Sequence, residues 1–262
     1  MKKLSLLLVI IAILPIVTAS YISIQSSITT TEDGTMIKVT NLGDEAAYNV
    51  QLSLDINNKK TISSVKERLD IQKSFEWKVP LAAKLKNPGK YPLILTTNYQ
   101  DVNSYPFSAI SVSAFDYKQG TISDIASKIN NIELSDEGTL ELTIKNLAET
   151  AKNIDIRLIV PKELTADKDK LRVKLPAKRQ TTINFEIEKF SALTGSSYVV
   201  FAVIEYNEDN MHYTAMSSGV VKIIEKVGIN IKNNFLFITL AILIIIFVFL
   251  RIKNSKKFLK VN

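Results

Sequence analysis

Four pairs of adjacent carboxylates come nearest to a catalytic pattern in this chain. Two carboxyl groups can share acid–base work when a fold sets them across a cleft, one protonated and the other ionised. Each pair, however, falls where the sequence predicts a turn or a strand end, and there Asp and Glu are ordinary solvated residues. We therefore predict no catalytic residue among them. The pairs are Glu32-Asp33, Asp44-Glu45, Asp136-Glu137 and Glu208-Asp209.

Metal and nucleophile chemistry have fewer candidates still. The chain has no Cys and a single His, His212, which excludes thiolate and multi-His metal sites and leaves a Ser-His-Asp triad to His212 alone. We expect this histidine at a strand edge or surface. The run Asn207–Asn210 offers oxygen ligands for Ca²⁺ but lacks the EF-hand spacing, so we expect a polar hairpin tip. The sequence predicts no catalytic, metal-binding or cofactor-binding residue, and no enzyme.

Four tyrosines keep a glycan ligand open as an alternative. Binding a sugar without hydrolysing it commonly uses exposed aromatic rings, and a remote further alternative is a glycan hydrolase. Strand positions explain most of these tyrosines equally well. The four are Tyr48, Tyr105, Tyr117 and Tyr213.

The positive charge lies at the two ends of the chain. The net charge is +7, which at first suggests nucleic-acid binding. Residues 20–226, however, are close to neutral, whereas residues 227–262 carry six basic side chains and no acidic one. Charge placed beside apolar runs is typical of membrane topology. We therefore predict no nucleic-acid partner.

Each end carries an apolar run. Residues 1–19 have two lysines, about fourteen apolar residues and a small-residue end, which predicts a signal peptide cleaved after Ala19, with an uncleaved anchor as the alternative. Residues 227–234 are predicted as a juxtamembrane segment, residues 235–252 as a transmembrane helix and residues 253–262 as a basic cytoplasmic tail. The positive-inside rule then gives a single-pass type I protein of the cell membrane, with its N-terminal domains extracytoplasmic.

The region between these runs contains a duplication. The segment DGTMIKVTNLGDEAAYNVQLSL from Asp33 is repeated as EGTLELTIKNLAETAKNIDIRL from Glu137. A second segment, starting at Tyr91, is repeated without gaps at an offset of 107 starting at Tyr198. Two units at this period indicate tandem domains. We place them at residues 20–115 and 116–226, with a short linker that restricts the angle between them.

Each copy shows the two-residue alternation of β-strands. Apolar positions at Val50, Leu52, Leu54 and Ile56 alternate with polar ones, and turn residues separate six or seven short strands in about 100 residues. The predicted fold class is all-β, with two tandem immunoglobulin-like β-sandwiches followed by one transmembrane α-helix. Tyr91 and Tyr198 open the penultimate strands and fit a tyrosine-corner role, in which the hydroxyl bonds nearby backbone.

The run V-T-N-L-G-D-E-A-A-Y-N-V from Val39, with its copy I-K-N-L-A-E-T-A-K-N-I, resembles the CARDB-type and NPCBM-associated (S-layer-like) immunoglobulin-like domains of archaeal or bacterial surface proteins. The second copy departs from the motif, with Ala148 where the first has Gly43, and we expect a looser turn there. The resemblance implies an archaeal source and a spacer, an adhesion module or an accessory subunit, with no shared catalytic residues to carry over.

The sequence therefore favours a membrane-anchored, non-enzymatic protein-interaction, adhesion or cell-envelope module whose partner is another protein of the envelope or membrane. The alternative is an accessory subunit of a membrane transport or secretion complex. Packed transmembrane helices often show small residues at four-residue spacing. The apolar run from Phe235 to Leu250 has only Thr239 and Ala241, which slightly favours the first hypothesis.

Overall fold

The computed structural model describes residues 21–31, 34–80 and 85–226, and the single positions 242 and 245, both with helical backbone. The predicted signal peptide and juxtamembrane segment, and nearly all of the predicted transmembrane helix and tail, lie outside these residues. No helix within the described part of the chain is long and apolar enough to span a bilayer. Up to Ile224 the chain forms one compact unit, and the regular structure of its described residues is entirely β.

The first half is a sandwich of two antiparallel sheets. One sheet has the order β1-β2-β6; in the other, β7 lies between β8 and β3, and the short strands β4 and β5 lie along β3. The strands are β1 (Ile24–Thr31), β2 (Gly34–Asn41), β3 (Ala47–Ile56), β4 (Lys59–Ile62), β5 (Lys66–Leu69), β6 (Ser74–Val79), β7 (Gly89–Gln100) and β8 (Pro106–Tyr117).

The second half repeats this architecture. One sheet has the order β13-β15-β11-β9, and the other has the order β14-β12-β16-β17, with β10 added in parallel along β17. The strands are β9 (Ile125–Ile129), β10 (Ile132–Leu134), β11 (Glu137–Asn146), β12 (Lys152–Ile159), β13 (Leu164–Ala166), β14 (Lys170–Leu175), β15 (Gln180–Lys189), β16 (Ser197–Glu208) and β17 (Met211–Ile223).

Both halves have immunoglobulin-like topology. In each, the chain crosses from one sheet to the other and back, so that the sixth strand of the first half lies beside the second and the seventh lies beside the third. The all-β prediction is confirmed. The alternation at Val50, Leu52 and Leu54 does place these side chains in the core, each at most 1% exposed. Local turn chemistry also fits, since Asn57 and Asn58 take positive φ angles between β3 and β4.

Each penultimate strand carries the predicted tyrosine contact. The Tyr91 hydroxyl donates to the Asn87 carbonyl at 2.8 Å. The Tyr198 hydroxyl accepts from the Leu193 N–H at 3.2 Å. Both residues are buried, so the hydroxyls find partners close in sequence while the rings fill the cores.

A buried asparagine explains the repeated Asn-Leu motif. Asn41 is fully buried at the end of β2. Its amide nitrogen donates to the carbonyls of Glu45 at 2.7 Å and Leu69 at 3.3 Å, and its side-chain oxygen accepts from the Gly43 N–H at 3.0 Å. One side chain therefore satisfies backbone groups of two separate turns, which a buried loop requires.

The second copy repeats this arrangement with Asn146. Its amide nitrogen lies within hydrogen-bond distance of the carbonyls of Thr150 (2.8 Å), Leu175 (3.2 Å) and Pro176 (3.1 Å). Its oxygen accepts from the Ala148 N–H at 2.9 Å. Ala148 therefore makes the same hydrogen bond to the buried asparagine as Gly43 makes in the first copy.

Gly43 is required for a different reason. The segment from Tyr21 to Ser23 crosses directly above it, and a Cβ at this position would lie 2.7 Å from the Ser23 nitrogen and 2.8 Å from the Ile22 Cα. Only glycine allows so close an approach of two backbones.

Candidate interaction surfaces

The carboxylate pairs within the described residues lie in turns and strand ends. Asp44 accepts the Tyr21 N–H at 2.6 Å, and Glu45 accepts the Val102 N–H at 3.3 Å. Glu208 is ion-paired with Lys152. The pair Asp136-Glu137 leads into β11, whereas Glu32-Asp33 lies outside the described residues.

The Asn207–Asn210 run is the hairpin turn between β16 and β17. Asp209 and Asn210 have positive φ angles of 49° and 60°, as a two-residue hairpin loop requires. The Asn207 side-chain oxygen accepts from the Asn87 amide at 3.2 Å and lies 3.0 Å from His212 Nδ1. The side chains of Asn207 and Glu208 thus bind neighbouring protein groups. No group of three His, Asp or Glu side chains suited to a metal occurs among the described residues.

His212 is buried where the two sandwiches meet, which corrects the expected surface position. It is 8% exposed, and its ring stacks on Tyr91 of the first sandwich with centroids 4.0 Å apart and planes 10° from parallel. Its Nε2 lies 3.2 Å from Glu205 Oε1. The sequence did not reveal this role because Tyr91 lies far away along the chain.

The same contact contains a largely shielded ion-pair cluster. Arg157 of β12 lies 3.0 Å from Glu205 of β16 and 3.6 Å from Asp55 of β3, and it reaches the Asn58 side chain at 3.4 Å. The three charged side chains are only 11% to 16% exposed. Asp55 belongs to the first sandwich and the other two to the second. Arg157 therefore links Asp55 of the first sandwich to Glu205 of the second, and removing it would leave two half-buried carboxylates without this cation.

Backbone contacts complete this side of the contact. Gly89 pairs with His212 as β7 and β17 join the two larger sheets into one of ten strands. A Cβ at Gly89 would collide with the His212 carbonyl, and the φ angle there is +138°. The Thr121 hydroxyl donates to the His212 carbonyl at 2.8 Å, and the Thr214 hydroxyl donates to the Lys90 carbonyl at 2.7 Å.

A second group of contacts, which we call the Glu163 clamp, joins β8 to the second sandwich. The Glu163 carboxylate is fully buried and accepts two hydrogen bonds from Ser108, one from its N–H and one from its hydroxyl. The Tyr105 hydroxyl donates to the Ser191 carbonyl at 2.7 Å. Burial raises the pKa of nearby Tyr99, and the charge of Glu163 raises it further. Together with the Arg157 cluster, this clamp holds the sandwiches at two separated points.

Lys152 forms a buried pair within the second sandwich. Its side chain is 5% exposed and ion-paired with Glu208. Burial alone would lower the pKa of Lys152, but the hydrogen bond and charge of Glu208 outweigh it and raise the pKa above its ordinary value. The charged form is therefore the one that the fold stabilises.

The four tyrosines considered for glycan binding are all half-buried. Tyr105 packs against Phe107 and Tyr117 against Tyr91, with ring centroids 5.1 Å and 6.3 Å apart. Tyr213 stacks on Tyr206 at 4.9 Å. Tyr48 lies under the Arg68 guanidinium at 5.7 Å. These rings pack against protein groups, so they do not form a flat exposed platform for a sugar.

An open groove lies along one side of the first sandwich. Its volume is about 660 Å³, and we call it the β1–β8 seam because one wall is β1 and the other is the end of β8. Within the described residues, β1 pairs only with β2 and β8 pairs only with β7, so the two strands face each other without a ladder between them. The seam is lined by Ile28, Thr30, Thr31, Ala114, Phe115, Asp116, Tyr117 and Lys118.

No family model matches the chain, and no curated protein matches it either. Among solved structures, the chain is similar to a Salmonella alpha-2-macroglobulin mutant (TM-score 0.32, 10% identity, 78% of this chain) and to Escherichia coli alpha-2-macroglobulin activated by porcine elastase (TM-score 0.32, 10% identity, 79%). It spans 16% and 22% of those two chains. Collagen adhesin from S. aureus aligns over 77% of this chain and 95% of its own, with a TM-score of 0.26 and 10% identity. Similarity at these values does not assign a family, so the strand topology remains the basis for the immunoglobulin-like description.

Proposed function

We propose that this chain is a membrane-anchored extracytoplasmic protein whose two immunoglobulin-like sandwiches form a non-enzymatic protein-interaction module of the cell envelope. The proposal includes the single-pass type I topology and the relationship to CARDB-type and NPCBM-associated domains of archaeal or bacterial surface proteins, which rests on the Asn-Leu turn motif. The two sandwiches present one preassembled surface to a partner.

One observation carries this proposal. The best-buried charged groups, Arg157, Glu163 and Lys152, each serve a structural contact. What remains at the surface is strand edges, turns and the β1–β8 seam, which are the features that protein-binding β-sandwiches use.

The topology can be tested with single cysteines, because the chain has none of its own. Ser218 is exposed on β17, and Ser255 lies in the predicted tail. In intact cells, a membrane-impermeant maleimide should label Ser218→Cys and leave Ser255→Cys unlabelled until the membrane is permeabilised. Labelling of both variants, or of the tail variant alone, would overturn the proposed orientation.

The partner can be sought by cross-linking the tagged full-length chain in its native membrane, followed by purification and mass spectrometry. Recovery of envelope or surface proteins in reproducible amounts supports the interaction module. A stoichiometric set of integral membrane proteins would instead make the chain an accessory subunit of a transport or secretion complex. Arg157→Met provides a further test. If the partner binds both sandwiches together, this variant should weaken capture, because it removes the cation between them.

A further inference from the structure

We propose that the β1–β8 seam accepts an extended segment of a partner protein that pairs in parallel with the end of β8 and presents an aliphatic–basic–aliphatic triplet. The inference rests on the proposed interaction function and names the kind of partner it would take. The duplication inside this chain supplies the argument, since the second sandwich fills the same position with its own strand.

The β1–β8 seam and the matching position of the second sandwich can be compared by strand register. In the first sandwich Tyr91 pairs with Phe115, and in the second the matching Tyr198 pairs with Val221. The end of β8 therefore corresponds to the end of β17. In the second sandwich, β10 pairs in parallel with Val221 to Ile223. The corresponding positions of the first sandwich, Phe115 to Tyr117, line the open seam.

The described part of the first sandwich has no equivalent of β10, because its first strand does not change sheets. β1 and β9 begin in the same register, since Ile24 pairs with Asn41 and Ile125 pairs with Asn146. In the second sandwich, the chain leaves this sheet after Ile129 and pairs with β17. In the first sandwich, the chain instead continues along β2 as far as Thr31. The end of β8 is thus left as a sheet edge.

The walls of the seam carry few charges, since only Asp116 and Lys118 are charged among the residues that line it. From Ile24 to Thr31, β1 has no charged residue, and β8 has none before Asp116. Other edge strands of the molecule carry several, such as β5 with Lys66, Glu67 and Arg68. Charged side chains on an edge discourage pairing with another chain, whereas an uncharged edge permits it. The seam is therefore better suited to strand addition than an edge such as β5.

Charge selects the incoming strand. In the second sandwich, Glu133 of β10 is ion-paired with Lys222 of β17 at 2.8 Å, between the flanking residues Ile132 and Leu134. The position of Lys222 is taken by Asp116 in the first sandwich. The Asp116 side chain is 53% exposed, and its nearest cation, Lys90, is 3.9 Å away. Because Asp116 has the opposite charge to Lys222 at the matching position, we expect Lys or Arg in the middle of the incoming triplet.

Two peptides test the proposal on the full-length chain in detergent. One has the sequence of residues 130–136, and the other has the same sequence with Glu133→Lys. The lysine peptide should bind about five-fold more tightly, as expected for a cross-strand charge pair worth up to ~1 kcal/mol. Hydrogen exchange should locate it, with amides of residues 114–118 becoming protected only when it is bound.

Charge reversal on the protein provides the decisive comparison. Asp116→Lys should reverse the peptide preference, whereas Glu149→Lys, which makes the same change in net charge on the second sandwich, should leave it unaltered. Equal binding of the two peptides, protection elsewhere, or no binding would overturn the proposal while leaving cross-linked partners to decide the general function. A dimer whose residues 114–118 are already protected without peptide would place a second copy in the seam and also overturn it.

Discussion

Replacing Asn146 with Ala should weaken the whole two-sandwich unit. The side chain is fully buried, and its two amide hydrogens and its oxygen serve backbone groups of two turns. Losing about three hydrogen bonds at ~1 kcal/mol each lowers the free energy of unfolding by about 3 kcal/mol. For a unit of this size, that shifts a urea midpoint by about 1 M.

The single tryptophan makes the measurement specific. Trp77 lies on β6 and packs against the core of the first sandwich, whereas Asn146 belongs to the second. Because the Arg157 and Glu163 contacts couple the sandwiches, Trp77 fluorescence and far-UV circular dichroism should show the same lowered midpoint. Asn153→Ala, at an exposed position of β12, is the control and should shift neither signal. A loss below 1 kcal/mol would refute the hydrogen-bond argument, and an unchanged Trp77 midpoint would refute the coupling.

Three further perturbations test the contact and the buried titratable groups. Arg157→Met should cost about 2 kcal/mol, between the values for exposed and fully buried pairs, and should split urea unfolding into two transitions, because two half-buried carboxylates lose this cation. A single unchanged transition would contradict this. Gly89→Ala should destabilise the chain by more than 1 kcal/mol in thermal unfolding. Gly195→Ala should cost less, because its Cβ would meet no atom within 4 Å. Equal losses of stability in the two variants would refute the steric argument. Finally, Lys152 and Tyr99 have pKa values raised above their ordinary values of 10.5 and 10.0. The unfolded chain therefore releases these protons first, so stability should be full below pH 10 and fall as the pH rises further; a flat alkaline profile in urea titrations would refute it.

Much of the fold follows from local patterns that the sequence displays. The alternation in β3 predicts which side chains enter the core. The sequence from Ser74 to Val79 likewise alternates and predicts a strand, and β6 has these bounds. The stretch from Lys59 to Lys73 is ambiguous from its sequence, and it contains two short strands, β4 and β5. Its apolar spacing fits both a helix and strands, and pairing with β3 decides between them.

The contacts between the sandwiches were not predictable in this way. Arg157, Asp55 and Glu205 look like ordinary polar residues on the outer faces of strands, and only tertiary packing brings them together. The sequence likewise predicts His212 at an edge or surface, because its contact with the first sandwich also arises only from tertiary packing. The missing counterpart of β10 was equally hidden, because β1 and β9 show similar alternation and differ only in where the chain leaves its sheet.

The Arg157 cluster is built from residues of both sandwiches, and this has a consequence for biosynthesis. The first sandwich is complete once Tyr117 has been made, but Arg157, which neutralises Asp55, comes later in the chain. His212 is made about a hundred residues after Tyr117, so at ordinary elongation rates the wait is about 5–20 s. During that interval the newly made sandwich displays an uncovered sheet face and the open β1–β8 seam together. The nascent chain is therefore most exposed to off-pathway strand pairing midway through its synthesis, and chaperone binding at that stage would protect it most.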